Sequence, residues 1–396
     1  MNKPERPGQA LSVRLPRANR TLEAFRLSAP RNFPKRVASA LNRIAFAAVH
    51  VVADPLADAD PWLAAAIDWD RTIAFREHIW DLGLGVAEAM DTAQRGTGVD
   101  WPTSLELIRR SVAAARARGG LVFSGCGTDH LDPEAARGLD DVIRGYEEQV
   151  AAIEALGGRI VLMASRALAR LGRAADDYAR VYERILRQVR DPVIIHWLGD
   201  MFDPQLAGYW GSTDLDIAME NAIAVINDNA AKIDGVKVSL LDKDREIAMR
   251  RRLKPSIRMY TGDDFNYAEL IEGDNEGYSD ALLGIFDVIA PAASAALARL
   301  AASDKVGFHD ILAPTVPLAR HIFRAPTRFY KTGVVFMAYL NGHQDHFTLV
   351  GGQESARSTL HLAEIFRLAD RAGLLRDPDL AVARMRSVLA LRGIGA

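Results

Sequence analysis

The chain has 396 residues, 49% hydrophobic and 25% charged, enough for two average domains or one large α/β barrel with extensions. A formal charge of −2 gives no electrostatic footing for nucleic acid or a membrane surface. The one cysteine, Cys126, excludes an internal disulfide framework and a cysteine-based zinc site. No stretch approaches the ~18 uninterrupted apolar residues of a membrane span, and the first residues lack the basic-then-apolar order of a signal peptide. A cytoplasmic location is the expectation.

Residues 1–38 are basic and punctuated by proline. Leu11–Leu15 and Thr21–Leu27 alternate apolar and polar residues around Pro16–Asn19, a pattern that predicts a hairpin on a solvated arm. From residue 39 onward, short apolar runs alternate with longer helical patterns. The strand-like runs are Ile44–Val52, Leu84–Ala89, Gly120–Ser124, Arg159–Ala164, Pro192–Trp197, Gly235–Leu240, Ser256–Tyr260 and Gly284–Ile289. Between them lie helical stretches at Trp69–Leu82, Thr103–Arg118 (capped at Thr103 or Ser104), Pro133–Leu156, Asp176–Arg190, Asp214–Ile233 and Asp242–Leu253, and a last helix spans Pro291–Ala302. Eight strand–helix units predict a (β/α)8 TIM barrel over residues 39–303. Residues 304–396 are mostly helical, at Asp304–Phe323, Thr327–Asn341, Glu354–Arg371 and Asp377–Leu391, and read as an extension packed on the barrel.

The sixth strand, Gly-Val-Lys-Val-Ser-Leu, carries Lys237 between two valines. Valines on both sides suit a strand buried on both faces, where an ammonium is costly to desolvate unless paired or neutralised. The chain has eight lysines among 49 basic residues, so arginine is the usual cation here. Arginine would keep its charge, whereas a buried lysine can lose its proton and become a nucleophilic amine. A lysine salt-bridged at a strand end is the competing reading.

In a barrel the chemistry sits where strands run into their following loops. Those positions hold His50 and Asp54, Glu88 and Asp91, Asp129 and His130, Ser165 and Arg166, His196 and Asp200, and Asp263 with Asp264. Gly-Asp-Asp at 262–264 also fits a turn with Asp264 as a helix cap. His343, Gln344, Asp345 and His346 sit between late helices, where capping residues in a loop are the plainer reading than a metal site.

Pro192-Val-Ile-Ile-His-Trp, Gly235-Val-Lys-Val, Tyr260-Thr-Gly-Asp-Asp and Gly284-Ile-Phe-Asp-Val-Ile-Ala-Pro-Ala follow one another as in the dihydrodipicolinate synthase / N-acetylneuraminate lyase family. The resemblance covers roughly residues 40–375 and is closest to an uncharacterised dihydrodipicolinate synthase-related bacterial branch. It implies a class I lyase or aldolase in which Lys237 forms a Schiff base with a small 2-oxo acid or related carbonyl compound. His196 falls where the family has its proton-shuttling tyrosine. Leu84-Gly-Val-Ala-Glu88 aligns with the segment that grips the oxo acid's carboxylate, but both threonines are absent and Glu88 alone remains. The family's arginine is replaced within Gly199-Asp200-Met201-Phe202. The imine chemistry is therefore better carried by the resemblance than pyruvate as its substrate.

The candidates that follow are Lys237 and His196 as catalytic residues, and Glu88, Asp129, Asp200 and Asp263 as substrate-binding residues. An imidazole titrates close to neutrality, which fits His196 as proton shuttle without a large shift. No cofactor is called for, and no metal, since nothing resembles a His-Glu-x-x-His spacing. The partner is a small carbonyl substrate, and the resemblance implies a homodimer or homotetramer. The alternatives are a metal-dependent barrel enzyme using Glu88, Asp129, His130, His196 or Asp200, and a non-catalytic ligand-binding barrel.

Overall fold

The computed structural model describes residues 11–36 and 41–395. The expectation of an arm over residues 1–38 falls partly outside these residues. What is described of it contains an antiparallel hairpin, β1 (Ser12–Pro16) with β2 (Leu22–Arg26). It is not a solvated arm. Val13 and Leu15 are buried, Phe25 meets Phe366 edge-on at 6.3 Å, and Arg367 and Arg386 donate to the carbonyls of Pro16 and Ser12 at 3.0 and 2.9 Å. The hairpin's apolar face is thus covered by the two last helices, Thr359–Arg371 and Pro378–Leu391.

Eight parallel strands close the barrel: β3 (Ala45–Ala48), β4 (Gly85–Glu88), β5 (Val122–Cys126), β6 (Arg159–Leu162), β7 (Val193–Leu198), β8 (Ile233–Ser239), β9 (Arg258–Thr261) and β10 (Asp280–Leu283), with β10 returning to β3. Seven of these overlap the runs read from sequence. The eighth does not: Gly284–Ile289 begins the helix Ile285–Ala301, and the strand is the preceding Asp-Ala-Leu-Leu. Pro291 lies inside that helix, and Ile289, at φ −112°, bends the backbone before it.

Many of the loop aspartates are helix caps. Asp68, Asp100, Asp214, Asp242, Asp304 and Asp377 each accept a first-turn amide N–H, which satisfies donors the helix itself cannot. The cap of Trp101–Arg118 is therefore Asp100, neither Thr103 nor Ser104.

Inside the barrel, large and small residues interlock to make a floor. Phe46 meets Phe123 and Tyr260 edge-on at 5.3 and 5.9 Å. A side chain at Gly235 would bring its Cβ to 2.5 Å from the Tyr260 ring, and one at Gly85 to 2.6 Å from Phe46. These glycines give the rings their space, and Tyr260 leans back over Gly235 to donate to Asp234 at 2.6 Å. The room above this layer is what the strand ends share.

The C-terminal region breaks Asp304–Phe323 into Lys305–Leu312 and Val316–Ile322, then continues with Tyr330–Leu340, Thr359–Arg371 and Pro378–Leu391. Every residue of Tyr330–Leu340 is buried. Apolar all round, that helix is the core of the extension. No helix among the described residues is long and apolar enough to cross a membrane.

Candidate active site

Two adjacent strands carry the inward pair. His196 on β7 and Lys237 on β8 are register partners, so their side chains leave the sheet on the same face. Lys237 is 7% exposed. Its stem runs past Gly262, where a Cβ would lie 2.9 Å from Lys237 Cε and overlap the Ser239 hydroxyl. Burial drives the Lys237 pKa down, and the carboxylates of Asp91 and Asp264 oppose that shift.

The turn reading of Gly-Asp-Asp holds, but Asp264 does not cap the next helix, which begins after Asn266 with no side-chain cap. Asp263 closes the turn: its carboxylate accepts the amides of Phe265 and Asn266 at 2.8 and 3.1 Å and the Asn266 side chain at 2.8 Å. With its oxygens so occupied, Asp263 is not available as a substrate ligand. Asp264 instead hangs from the start of the helix after β10, accepting the Ile285 amide at 2.8 Å. Burial pushes its carboxyl up to about 7, with the Lys237 charge pulling the other way. A lysine pressed down and a carboxyl pressed up bring two proton affinities toward each other in one dry site, an arrangement suited to proton transfer.

His196 is fully buried, with Nε2 3.2 Å from Ser239 Oγ and Nδ1 without a partner. Burial, then the Lys237 charge, holds it well below the ordinary imidazole range. The expectation of a histidine titrating near neutrality is therefore corrected: this imidazole is neutral and a weak base. It lines a cleft with about 610 Å³ of empty space, part of it open to solvent, together with Asp91, Arg95, Thr128, Asp129 and Arg166; Lys237 and Asp264 are not among the lining residues. Asp129 lines the same cleft, held by Arg95 at 2.7 and 3.1 Å and by Gln149 at 3.0 Å.

Two other candidates are elsewhere. Glu88 turns outward, because strand neighbours alternate faces and Ala87 takes the interior. Its carboxylate is saturated by a two-pronged bond to Arg76, 2.9 Å at each contact, by the Ala89 amide at 2.8 Å and by the Ser111 hydroxyl. It ties the barrel to its first two helices and has nothing left for a substrate. Asp200 is exposed on the loop after β7 and does not line the cavity. Glu88, Asp129, His130, His196 and Asp200 therefore do not converge, and no group of three or more metal-ligating side chains occurs among the described residues. The late cluster also disperses: Gln344 donates to the His346 carbonyl at 2.7 Å, while Asp345 pairs with Arg71 and Arg384.

Sequence reading missed the contribution of the C-terminal helix. Tyr330 and Lys331, both 3% exposed, open that helix. The Tyr330 hydroxyl pairs with Thr92 at 2.9 Å, and the Asp91 and Asp264 charges both bear on it. Lys331 donates to the Arg328 carbonyl at 3.2 Å, and its ammonium feels Asp91 and Asp203. The signal available was a second lysine in an apolar stretch, Phe-Tyr-Lys-Thr-Gly-Val-Val-Phe, the same kind of signal that marked Lys237.

Comparison with solved structures gives one consistent fold. The dihydrodipicolinate synthase from Aquifex aeolicus is 13% identical with a TM-score of 0.62, and that from Thermotoga maritima is 14% identical with a TM-score of 0.62; each comparison covers 84% of this chain and 99% of the other. The chloride-inhibited synthase from Acinetobacter baumannii, complexed with pyruvate, is 16% identical with a TM-score of 0.60 over the same shares. At these identities the likeness establishes the barrel. No curated protein matches the sequence. A family model matches residues 13–394, so this barrel with its hairpin and C-terminal helices belongs to the family described as protein of unknown function, DUF993.

Proposed function

We propose that the protein is a Schiff-base lyase or aldolase acting on a small carbonyl compound, a 2-oxo acid or a close relative. The observation that carries the reading is Lys237: a buried amine in the sixth barrel strand, its pKa lowered by burial, within the electrostatic reach of the Asp264 carboxyl, whose pKa is raised to about 7. Such an amine has the free electron pair that carbonyl attack requires near neutral pH.

Lys237 Nζ would attack the carbonyl carbon to give a carbinolamine, which loses its hydroxyl as water once protonated. Asp264 is matched to that proton traffic, because a pKa near 7 lets it both give and accept at working pH. The resulting iminium withdraws electrons, so the pair from a broken neighbouring carbon–carbon bond is held as an enamine. Protonation at carbon and hydrolysis then return the free lysine. His196, neutral and with an unpartnered Nδ1, serves as a polar wall that orients substrate and can relay a proton in the reacting complex. Asp129, paired with Arg95, lines the same cleft as His196.

Borohydride reduction with a panel of small carbonyl compounds tests the reading. The expected result is an adduct mass on the tryptic peptide containing Lys237, absent in Lys237→Arg, which keeps a positive charge but has no usable nucleophile. An adduct on other lysines alone, or wild-type turnover in the folded arginine variant, would overturn it.

A further inference from the structure

A second cleft, independent of the barrel mouth, opens on the outer flank where residues 30–35 pass between the barrel and the C-terminal helices. It holds about 1070 Å³ of empty space, part of it open to solvent. Its strap is fastened at several points: the Arg31 amide donates to the Gly373 carbonyl at 3.0 Å, and the Arg31 guanidinium donates to the Asp310 carbonyl and carboxylate, each at 2.8 Å. Gly373, at φ +69°, is needed there, since its Cβ would press into the Arg31 side chain.

The back of the cleft is a fully buried pair. The Asp287 carboxylate accepts from the His50 amide at 2.8 Å and from His50 Nδ1 at 2.7 Å. Neither His50 Nε2 nor Asp287 Oδ1 has a hydrogen-bond partner. Both side chains are at most 1% exposed. Asp287 Oδ1, an orphan acceptor on a residue lining the cleft, calls for a donor, because a buried polar atom left unpaired costs about 1–3 kcal/mol.

The walls are flat and π-rich. Phe75 sits 4.5 Å from the His50 ring and 4.9 Å from His343, and His343 lies 4.9 Å from His78. Burial pushes His78 down to about 4 and His343 well below its usual range, so both are neutral rings at physiological pH. At the rim, Arg376 donates to the Asn341 carbonyl at 2.7 Å and to His343 Nε2 at 3.2 Å. Among the described residues it meets no carboxylate.

We propose that this cleft binds a small planar organic anion. Its ring lies against the imidazoles and the apolar wall of Leu82, Val288 and Pro291, its carboxylate or sulfonate meets Arg376, and an N–H or O–H points at the His50–Asp287 pair. The cleft also has a physical link to the barrel mouth. Asp287 lies two residues beyond Ile285, whose amide holds Asp264 beside Lys237. The floor of the cleft and the candidate catalytic carboxyl hang on one helical turn.

The test uses two dyes on the full chain: 8-anilinonaphthalene-1-sulfonate, a planar anion with an N–H, and the uncharged N-phenyl-1-naphthylamine. Wild type should take up one equivalent of each, saturably. Arg376→Gln should weaken the sulfonate by about tenfold, and Arg376→Glu should abolish its uptake, with the neutral dye unchanged in both. Sulfonate affinity within twofold of wild type in Arg376→Glu would overturn the proposal. So would loss of both dyes in that variant, or no saturable uptake by wild type.

Discussion

The sixth barrel strand and the buried helix Tyr330–Leu340 each bring one lysine into a dry interior, and the two lysines are treated differently. Burial lowers the pKa of both, but Lys331 has a carbonyl to donate to, and the charges of Asp91 and Asp203 oppose its shift. Lys237 has the Asp91 and Asp264 charges but no hydrogen bond among the described residues supporting its ammonium. A lysine held by an acceptor suits scaffolding or substrate recognition, whereas a buried lysine with no acceptor at its nitrogen is a candidate nucleophile. Burial alone does not mark a reactive lysine; what fills the space around its nitrogen does.

The sharpest way to break this contrast is to remove each amine in turn. Lys237→Met should eliminate borohydride trapping altogether, and Lys331→Met should leave it measurable at the Lys237 peptide. Trapping that moves to Lys331, or vanishes only in the second variant, would reverse the assignment.

The next test separates inward from outward carboxyls. Glu88→Gln leaves the Arg76 guanidinium buried against a neutral amide, a loss of about 3–5 kcal/mol for a broken buried pair. Denaturant midpoints should fall accordingly, while trapping by the folded protein stays within about twofold. A large trapping defect at unchanged stability would return Glu88 to the site.

Gly262→Ala probes how tightly the lysine stem is held. The added methyl comes to 2.9 Å from Lys237 Cε and collides with Ser239, so the amine must shift. A displacement near 1 Å costs about 10²-fold, and trapping rates should fall by that order. A rate like wild type would mean that the stem swings freely.

The smallest effect expected is a shift along the pH axis. The Asp264 carboxylate favours the charged form of Lys237, so it raises the lysine pKa against burial. Asp264→Asn removes that support, and the rise of trapping rate with pH should move to lower pH by on the order of one unit. The carboxyl's own raised pKa has an opposite-facing consequence for stability. Its stabilising contribution is present below the unfolded carboxylate range and is lost as pH rises through about 7. The asparagine variant should therefore gain relative stability at pH 8 but not at pH 4. An unshifted trapping profile would uncouple Asp264 from Lys237.

Much of this was legible in the residues, and for identifiable reasons. A parallel strand buried on both faces must be apolar throughout, so Val-Ile-Ile in β7 and Val-Lys-Val in β8 announce themselves, and a lysine there stands out. The hairpin alternates because one face is covered and the other is wet. The eighth strand was misplaced because Asp-Ala-Leu-Leu has neither β-branching nor alternation, while Gly-Ile-Phe-Asp-Val-Ile has apolar β-branched residues in a helix start. Local preference pointed one residue run too far, and the barrel's closure against β3 and β9 decided otherwise.

By itself, then, the sequence determined the alternation of strands and helices, the hairpin, and the lysine that burial makes a candidate nucleophile, because all three are set by periodicity and the cost of desolvation. Tertiary structure alone decided which carboxyl faces that lysine. Asp263 and Asp264 are adjacent and chemically identical, and their roles separate only through the direction each side chain takes, one to the amides of its own turn and the other to the helix that follows β10. It alone turned Glu88 out to Arg76, and it alone brought Tyr330 and Lys331 to the site across more than ninety residues of chain. Those choices depend on which atoms meet in space, and a linear pattern of polar and apolar residues carries no record of that.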